Sequence, residues 1–182
     1  MTVPIINTPR LILRALEDSD AKALHRIYQT EGVLQYFPSS QPPPLERLEQ
    51  FISHQQEHWK NHAYGNWAIT LSGRTDLIGW AGLQYLPETT ETEVGYLLDR
   101  QFWGRGYATE AAWASLQFGF ECFDFDKIVG LVHPDNLASR RVLEKCGLNF
   151  IDQKVYFGID LLRYWIERRS FQRLLAMRQS ES

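Results

Sequence analysis

The residues best suited to chemistry stand together in Gln101-Phe102-Trp103-Gly104-Arg105-Gly106-Tyr107-Ala108-Thr109-Glu110, which follows a strand-like run and opens a helix. Two glycines let the backbone approach a ligand with no Cβ in the way, and the first-turn N–H groups of a helix lack intrahelical acceptors. With the positive end of the helix dipole, they predict a site for a phosphate or pyrophosphate. A dinucleotide site would add a ribose-binding acid about twenty residues on. Asp124 stands near that distance, but it precedes the next strand instead of ending it, and Thr109 replaces the third glycine. A nucleoside triphosphate loop needs Gly-Lys followed by Ser or Thr, and none occurs there.

A second motif, His54-Gln55-Gln56-Glu57-His58, matches the H-x-x-E-H pattern of inverted zinc proteases, and His62 extends its helical spacing. A catalytic zinc needs a further protein ligand and groups that orient the ligands, neither recognisable in the sequence. The apolar stripe of this helix is Leu45, Leu48, Ile52 and Trp59, so the polar residues are expected on its solvent side and no metal is expected.

With 182 residues, 44% of them hydrophobic, the chain can bury one core and is short for two, so residues 1–182 read as one domain with its core near 8–170. The net charge of -3 argues against a nucleic-acid binder with a broad basic surface and suits a cationic substrate. Pro4 and Pro9 stand where a signal peptide would need an apolar run, and no run reaches membrane-spanning length, so a cytoplasmic protein away from membranes is expected. Cys122 and Cys146 lack metal or redox spacing and read as small core residues on helices.

The elements that must position the loop follow from periodicity. Arg10–Arg14 reads as a strand, and Asp18 or Ser19 as the cap of a helix with Ala23, Leu24, Ile27 and Tyr28 on one stripe. A proline-rich connector ends at Pro44, where the second helix starts. Asn66–Leu71, Leu77–Tyr85 and Thr92–Leu98 read as an antiparallel meander, and the glycine loop then opens a helix over Tyr107–Glu121 whose small residues allow close packing on a sheet. Lys127–His133 is a further strand. Asn136 caps the helix after it and Gly147 ends that helix, and Phe150–Phe157 with Ile159–Glu167 form a hairpin about Gly158.

Element order and motifs together resemble the GNAT superfamily of acyl-CoA N-acyltransferases over nearly the whole chain. Gln101-x-x-Gly104-x-Gly106 is similar to its pyrophosphate loop, Glu93-Val94-Gly95-Tyr96 to the strand before it, and Asn136-x-x-Ser139 with Cys146-Gly147-Leu148 to the segment after it. The opening Thr8-Pro9-Arg10-Leu11-Ile12-Leu13-Arg14, Leu77-Ile78-Gly79-Trp80 and Tyr107-Ala108-Thr109-Glu110-Ala111 resemble the RimJ/RimL branch.

The resemblance implies an α+β fold: a mixed, mostly antiparallel sheet with a splayed strand pair and flanking helices. It implies an enzyme, active as monomer or homodimer, that moves an acetyl group from acetyl-CoA to an amine, either a protein N-terminus or a small molecule. Strand Thr92–Leu98 would splay from Lys127–His133, with Leu97 and Leu98 against the pantetheine arm and the Leu97 N–H donating to the thioester oxygen. Gln101, Trp103, Gly104, Arg105, Gly106, Tyr107, Ala108 and Asn136 would hold the rest of the cofactor, and Arg140 or Arg141 its phosphates. Glu93 would be the general base, or else a solvated carboxylate paired with an arginine. Ser139 would donate to the CoA sulfur. The tyrosine acid that many members carry four residues before the helix-ending glycine is Leu143 here, leaving Ser139, Tyr156 or water for its role. Tyr36 and Phe37, in the proline-bordered loop, and His133, at a strand end, would border the acceptor. The other reading, an acyl-CoA-binding regulatory or interaction protein without turnover, differs in releasing no thiol.

Overall fold

A computed structural model describes residues 2–180. The chain runs β1 (Ile6–Asn7), β2 (Leu11–Arg14), α1 (Ala21–Tyr28), α2 (Leu45–His62), β3 (Asn66–Leu71), β4 (Leu77–Leu86), β5 (Glu91–Leu98), α3 (Tyr107–Cys122), β6 (Lys127–Val132), α4 (Leu137–Lys145), β7 (Asn149–Tyr156), β8 (Ile159–Glu167) and α5 (Arg168–Ser180). The strands form one sheet in the order β1-β2-β3-β4-β5-β6-β8-β7. Every neighbouring pair is antiparallel except β5 with β6. This is the expected α+β architecture.

Alternation along the strands separates two cores. Leu24, Ile27, Leu48 and Ile52 of α1 and α2 pack against Ala68, Trp80 and Leu97. Ile69, Leu83, Val94 and Leu98 point the other way, under α3, α4 and α5. Small residues bring α3 close to the sheet: a Cβ on Gly119 would stand 2.7 Å from Leu83 Cδ1 and 2.9 Å from Ile128 Cδ1. The β7–β8 hairpin turns as expected, through Phe157 and Gly158 at φ +53° and +79°, a pair that matches the right-handed twist of its strands.

Four features depart from the sequence reading. The start of α1 is organised by Asp20, not by Asp18 or Ser19. Its buried carboxylate accepts from the Glu17 N–H at 2.9 Å and from both Arg14 guanidinium nitrogens at 2.7 and 2.8 Å, tying β2 to the helix. Helix α5, unforeseen, buries Phe171 against Trp113 and Phe120, at ring-centroid distances of 4.8 and 5.1 Å. Cys146 is buried as expected, but Cys122 is exposed at the end of α3. In α2, Gln55 and His58 are buried instead of lying on the solvent side.

The reason is that both meet backbone groups that need partners. Gln55 Oε1 accepts from the Asn66 N–H at 3.2 Å. His58 Nδ1 donates to the Tyr64 carbonyl at 2.8 Å, and its Nε2 accepts from the Tyr85 N–H at 3.2 Å. Neither ring nitrogen of His58 is left to ligate a metal, and His58 with Gln55 serves instead to hold α2 to the sheet, while His54 and Glu57 stay exposed. Burial lowers the His58 pKa below its ordinary 6.5 against the raising effect of the Tyr64 carbonyl, with His62 and His54 adding to the lowering. The contribution of neutral His58 to stability is therefore present above pH 6.5 and lost as pH falls through the depressed value. Nitrogen-detected NMR is expected to show the Nδ1–H tautomer titrating below 6.5; an Nε2–H tautomer or an ordinary pKa would contradict this clamp.

Candidate functional site

The anion loop is built by a chain reversal between β5 and α3. Asp99 caps the turn after β5, accepting from the Gln101 N–H at 3.3 Å and from its side-chain Nε2 at 2.8 Å. Trp103, though half exposed, donates its indole N–H to the Leu98 carbonyl at 2.8 Å. Gln101 and Trp103 thus shape the turn, and the Gln101 amide is not free for a ligand. Gly104 and Gly106 have φ of +73° and +80°, the left-handed region that favours glycine. Gly106 caps α3, and its carbonyl accepts the first helical bond, from the Glu110 N–H at 3.0 Å. The N–H groups of Tyr107, Ala108 and Thr109 precede that bond and form the donor end of the helix. Arg105 is exposed, its guanidinium 6.0 Å from the Phe102 ring centroid.

A clamp that the sequence reading missed holds this loop. Thr8 and Glu110 are 102 residues apart, yet the Thr8 hydroxyl donates to Glu110 Oε1 at 2.6 Å. The Arg10 N–H donates to the same oxygen at 2.9 Å, and its guanidinium pairs with Oε2 at 2.6 Å. Arg10 also donates to the Arg105 carbonyl at 2.9 Å and lies 4.7 Å above the Tyr107 ring. Burial alone would raise the Glu110 pKa, but the Thr8 and Arg10 donors outweigh it and hold the carboxyl below its ordinary value. The signal was present as two separate motifs, one at each end of this contact.

Strands β5 and β6 pair only at Glu93 opposite Val129, then diverge toward Leu98 and His133. This is the expected splay. The Asp99 N–H donates to the Ile78 carbonyl in the register that sets Leu98 opposite Gly79 and Leu97 opposite Trp80. Antiparallel bonding alternates, so the Leu97 N–H belongs to the β4 ladder, and the N–H groups of Tyr96 and Leu98 face the opening. The N–H expected to be open at this point, that of Leu97, is thus taken up by β4, and the open one is that of Leu98.

Across the opening, Asn136 caps α4 by accepting from the Ser139 N–H at 3.1 Å. Ser139 Oγ stands 2.9 Å from the Tyr96 hydroxyl, which also contacts the Ser139 carbonyl at 3.1 Å. Tyr96 was not singled out in the sequence. Leu143 fills the space over Gly130, where a Cβ would stand 2.6 Å from its Cδ2. The Tyr156 hydroxyl donates to Glu91 Oε2 at 3.2 Å and does not serve this opening. Arg140 is a strut, donating to the Tyr164 hydroxyl at 3.2 Å and the Pro134 carbonyl at 3.4 Å, while Arg141 stays exposed.

Two carboxylates on one face of β5 have opposite surroundings. Glu91 is neutralised by Arg163 at 2.7 Å and Lys127 at 3.6 Å; Arg163 in turn holds Asp152 with two bonds of 2.8 Å. Glu93 has no cation paired with it among the described residues. A part of its side chain reaches solvent, but the protein packed around the carboxyl pushes its pKa up to about 8, opposed by the Leu131 N–H. The arginine pair considered for Glu93 belongs to Glu91. Near the end of β6, Tyr36 from the α1–α2 connector stacks on His133 at 5.3 Å, and His133 Nδ1 accepts from the Asp135 N–H at 3.2 Å. Phe37 beside it is 41% exposed. Residues far apart in sequence thus meet at one wall.

Comparisons with known proteins agree with this geometry. Residues 10–149 match the family model described as an acetyltransferase (GNAT) domain. The chain is 31% identical to the uncharacterized N-acetyltransferase YoaA of Bacillus subtilis (strain 168), over 79% of this chain and 82% of that one. Among solved structures, an acetyltransferase from Agrobacterium tumefaciens str. C58 superposes with a TM-score of 0.81 at 28% identity, covering 92% of this chain and 96% of that chain. RimL, a ribosomal L7/L12 alpha-N-protein acetyltransferase in complex with coenzyme A, shares the fold with a TM-score of 0.77 at 19% identity, covering 90% and 98% of the two chains. A glycine-bounded helix N-terminus, a strand pair that opens after one contact and a family match across most of the chain lead to one assignment: this protein is an enzyme of the GNAT acetyltransferase family.

Proposed function

We propose that the protein transfers an acetyl group from acetyl-CoA to a primary amine by direct attack within a ternary complex. The observation that carries this reading is the position of Glu93, an uncompensated carboxyl where β5 and β6 part, on the strand that leads to the donor end of α3. The residues present fit the cofactor. Gly104 leaves open space where a Cβ would stand, and the first-turn N–H groups of α3 with Arg10 and Arg105 suit a pyrophosphate. The Tyr96 and Leu98 N–H groups suit an extended amide-bearing arm, which would complete β5 on its open side. Acetyl-CoA supplies the activated acyl group.

The chain's own groups divide the remaining work. Glu93 takes the amine proton, directly or through water, and a base of raised pKa is better matched to an amine than an ordinary carboxylate. The Leu98 N–H donates to the oxygen on which charge develops. Tyr36, Phe37 and His133 form the acceptor wall. The Thr8–Arg10–Glu110 clamp joins two of the three segments that resemble the RimJ/RimL branch, which favours a protein N-terminus or a small amine of similar reach.

Gly106→Val forces a branched residue into φ +80°, a strain of about 1–3 kcal/mol, and crowds the donor end of α3. Calorimetry should show CoA affinity reduced about tenfold or more in a protein that still folds. Unchanged affinity would remove the loop from the site.

Glu93→Gln should lower turnover by roughly a hundredfold or more with CoA affinity little changed, measured by thiol release over an amine panel. The wild-type rate should rise with pH up to about 8, and the variant should lack that limb. Thiol release absent from the wild type across the panel, with CoA bound, would favour a binding protein.

The same carboxyl makes a stability prediction. Its folded pKa of about 8 exceeds the ordinary 4.5, so its contribution is fully present below 4.5 and lost as pH rises through 8. Glu93→Gln should therefore gain thermal stability relative to wild type across that interval. A constant difference in melting temperature would contradict the raised pKa of Glu93.

A further inference from the structure

Tyr96 and Ser139 connect the two walls of the opening. Tyr96 lies in the diverging half of β5, on the face shared with α3 and α4, and Ser139 in the first turn of α4 just beyond β6. The phenol has one proton and two acceptors in reach, the Ser139 carbonyl at 3.1 Å and the Ser139 Oγ at 2.9 Å. With that proton on the carbonyl, Ser139 Oγ–H donates back to the phenol oxygen. With the proton on Oγ, Ser139 Oγ–H is released to point elsewhere. The pair is a two-position hydrogen-bond switch, and its freed donor is a serine hydroxyl at the gap.

We infer that Tyr96 is a positioning residue that turns the Ser139 hydroxyl toward the departing sulfur. The inference rests on the acetyl-CoA reading above. The balance of the step is complete. The amine nitrogen bonds to the acyl carbon and its proton goes to Glu93; the C–S bond breaks with its electron pair on sulfur. Ser139 Oγ–H donates to the resulting thiolate, and the Tyr96 O–H swings from the carbonyl to Oγ. Neither hydroxyl gives up its proton, and the thiolate is protonated by solvent. Tyr96 suits a role as permanent donor because burial first, and then the nearby Cys146 and Glu93, push its ionisation far up despite the bond to Ser139.

The test is the thiol pKa of CoA bound to the full-length protein, followed by thiolate absorbance during a pH titration, with calorimetry to hold each variant saturated. Tyr96→Phe should raise the bound-thiol pKa by about one unit and lower kcat about tenfold, since one unit corresponds to a factor of ten, with KM for acetyl-CoA unchanged. Ser139→Ala should do the same. The double variant should be no worse than either single one, because the two act as a unit. An unchanged thiol pKa in Tyr96→Phe, or fully additive losses, would overturn the inference while leaving CoA binding intact. Should Tyr96→Phe fail to fold, an unchanged thiol pKa in Ser139→Ala alone would overturn it equally. Absence of CoA binding to the wild type would instead overturn the functional reading beneath it.

Discussion

The constraint on which the rest depends is that β5 and β6 are, among the described residues, the one parallel neighbour pair in an otherwise antiparallel sheet, and that they pair at a single position, Glu93 with Val129. Parallel strands need a crossover. The crossover here is the glycine loop and α3, so the element that returns the chain to β6 also presents a helix N-terminus at the end of β5. The divergence then leaves backbone donors of β5 uncovered, a cost that a bound extended ligand would offset. Loop, helix end and exposed strand edge are one consequence of one topology.

Charge is organised around the same point. Glu91 and Glu93 lie two residues apart and face the same side, but Arg163 and Lys127 converge on the first alone. Different surroundings suit neighbouring carboxyls to different duties. Glu91 joins Arg163 and Asp152 in a structural network on the β7–β8 hairpin, and Glu93, its pKa pushed up to about 8, is the carboxyl left for the general-base role proposed above. At the start of the crossover helix, Glu110 sits at the donor end of α3, where a bare carboxylate would compete with an anionic ligand. Thr8 and Arg10 neutralise it and bring a cation to the loop.

Much of this was legible from local signals. Periodicity located the meander, α2, α3, α4 and the β7–β8 hairpin, because each has an apolar stripe or a turn residue with a local physical reason. The glycines at 104 and 106 announced backbone conformations that the structure contains. What could not be read depends on long-range partners or on register. Leu97 and Leu98 are both apolar because each faces a core, so hydropathy cannot tell which N–H meets β4. Gln55 and His58 look solvent-facing until the backbone groups of Asn66, Tyr64 and Tyr85 meet them. Helix α5 is rich in arginine, and its core face, Phe171 with the partly buried Leu174 and Leu175, follows a strand with no turn signal between. Tyr96 has its partner, Ser139, 43 residues away on α4, and no local signal marks the pair.

The central claim, that the open edge of β5 receives the pantetheine arm, is tested most directly by residue-resolved amide hydrogen exchange with and without CoA. The account predicts that Leu97, already bonded to β4, exchanges slowly in both states, and that Tyr96 and Leu98 exchange readily alone and become protected when CoA binds. Protection confined to other strands, or Tyr96 and Leu98 amides unmoved by saturating CoA, would contradict it.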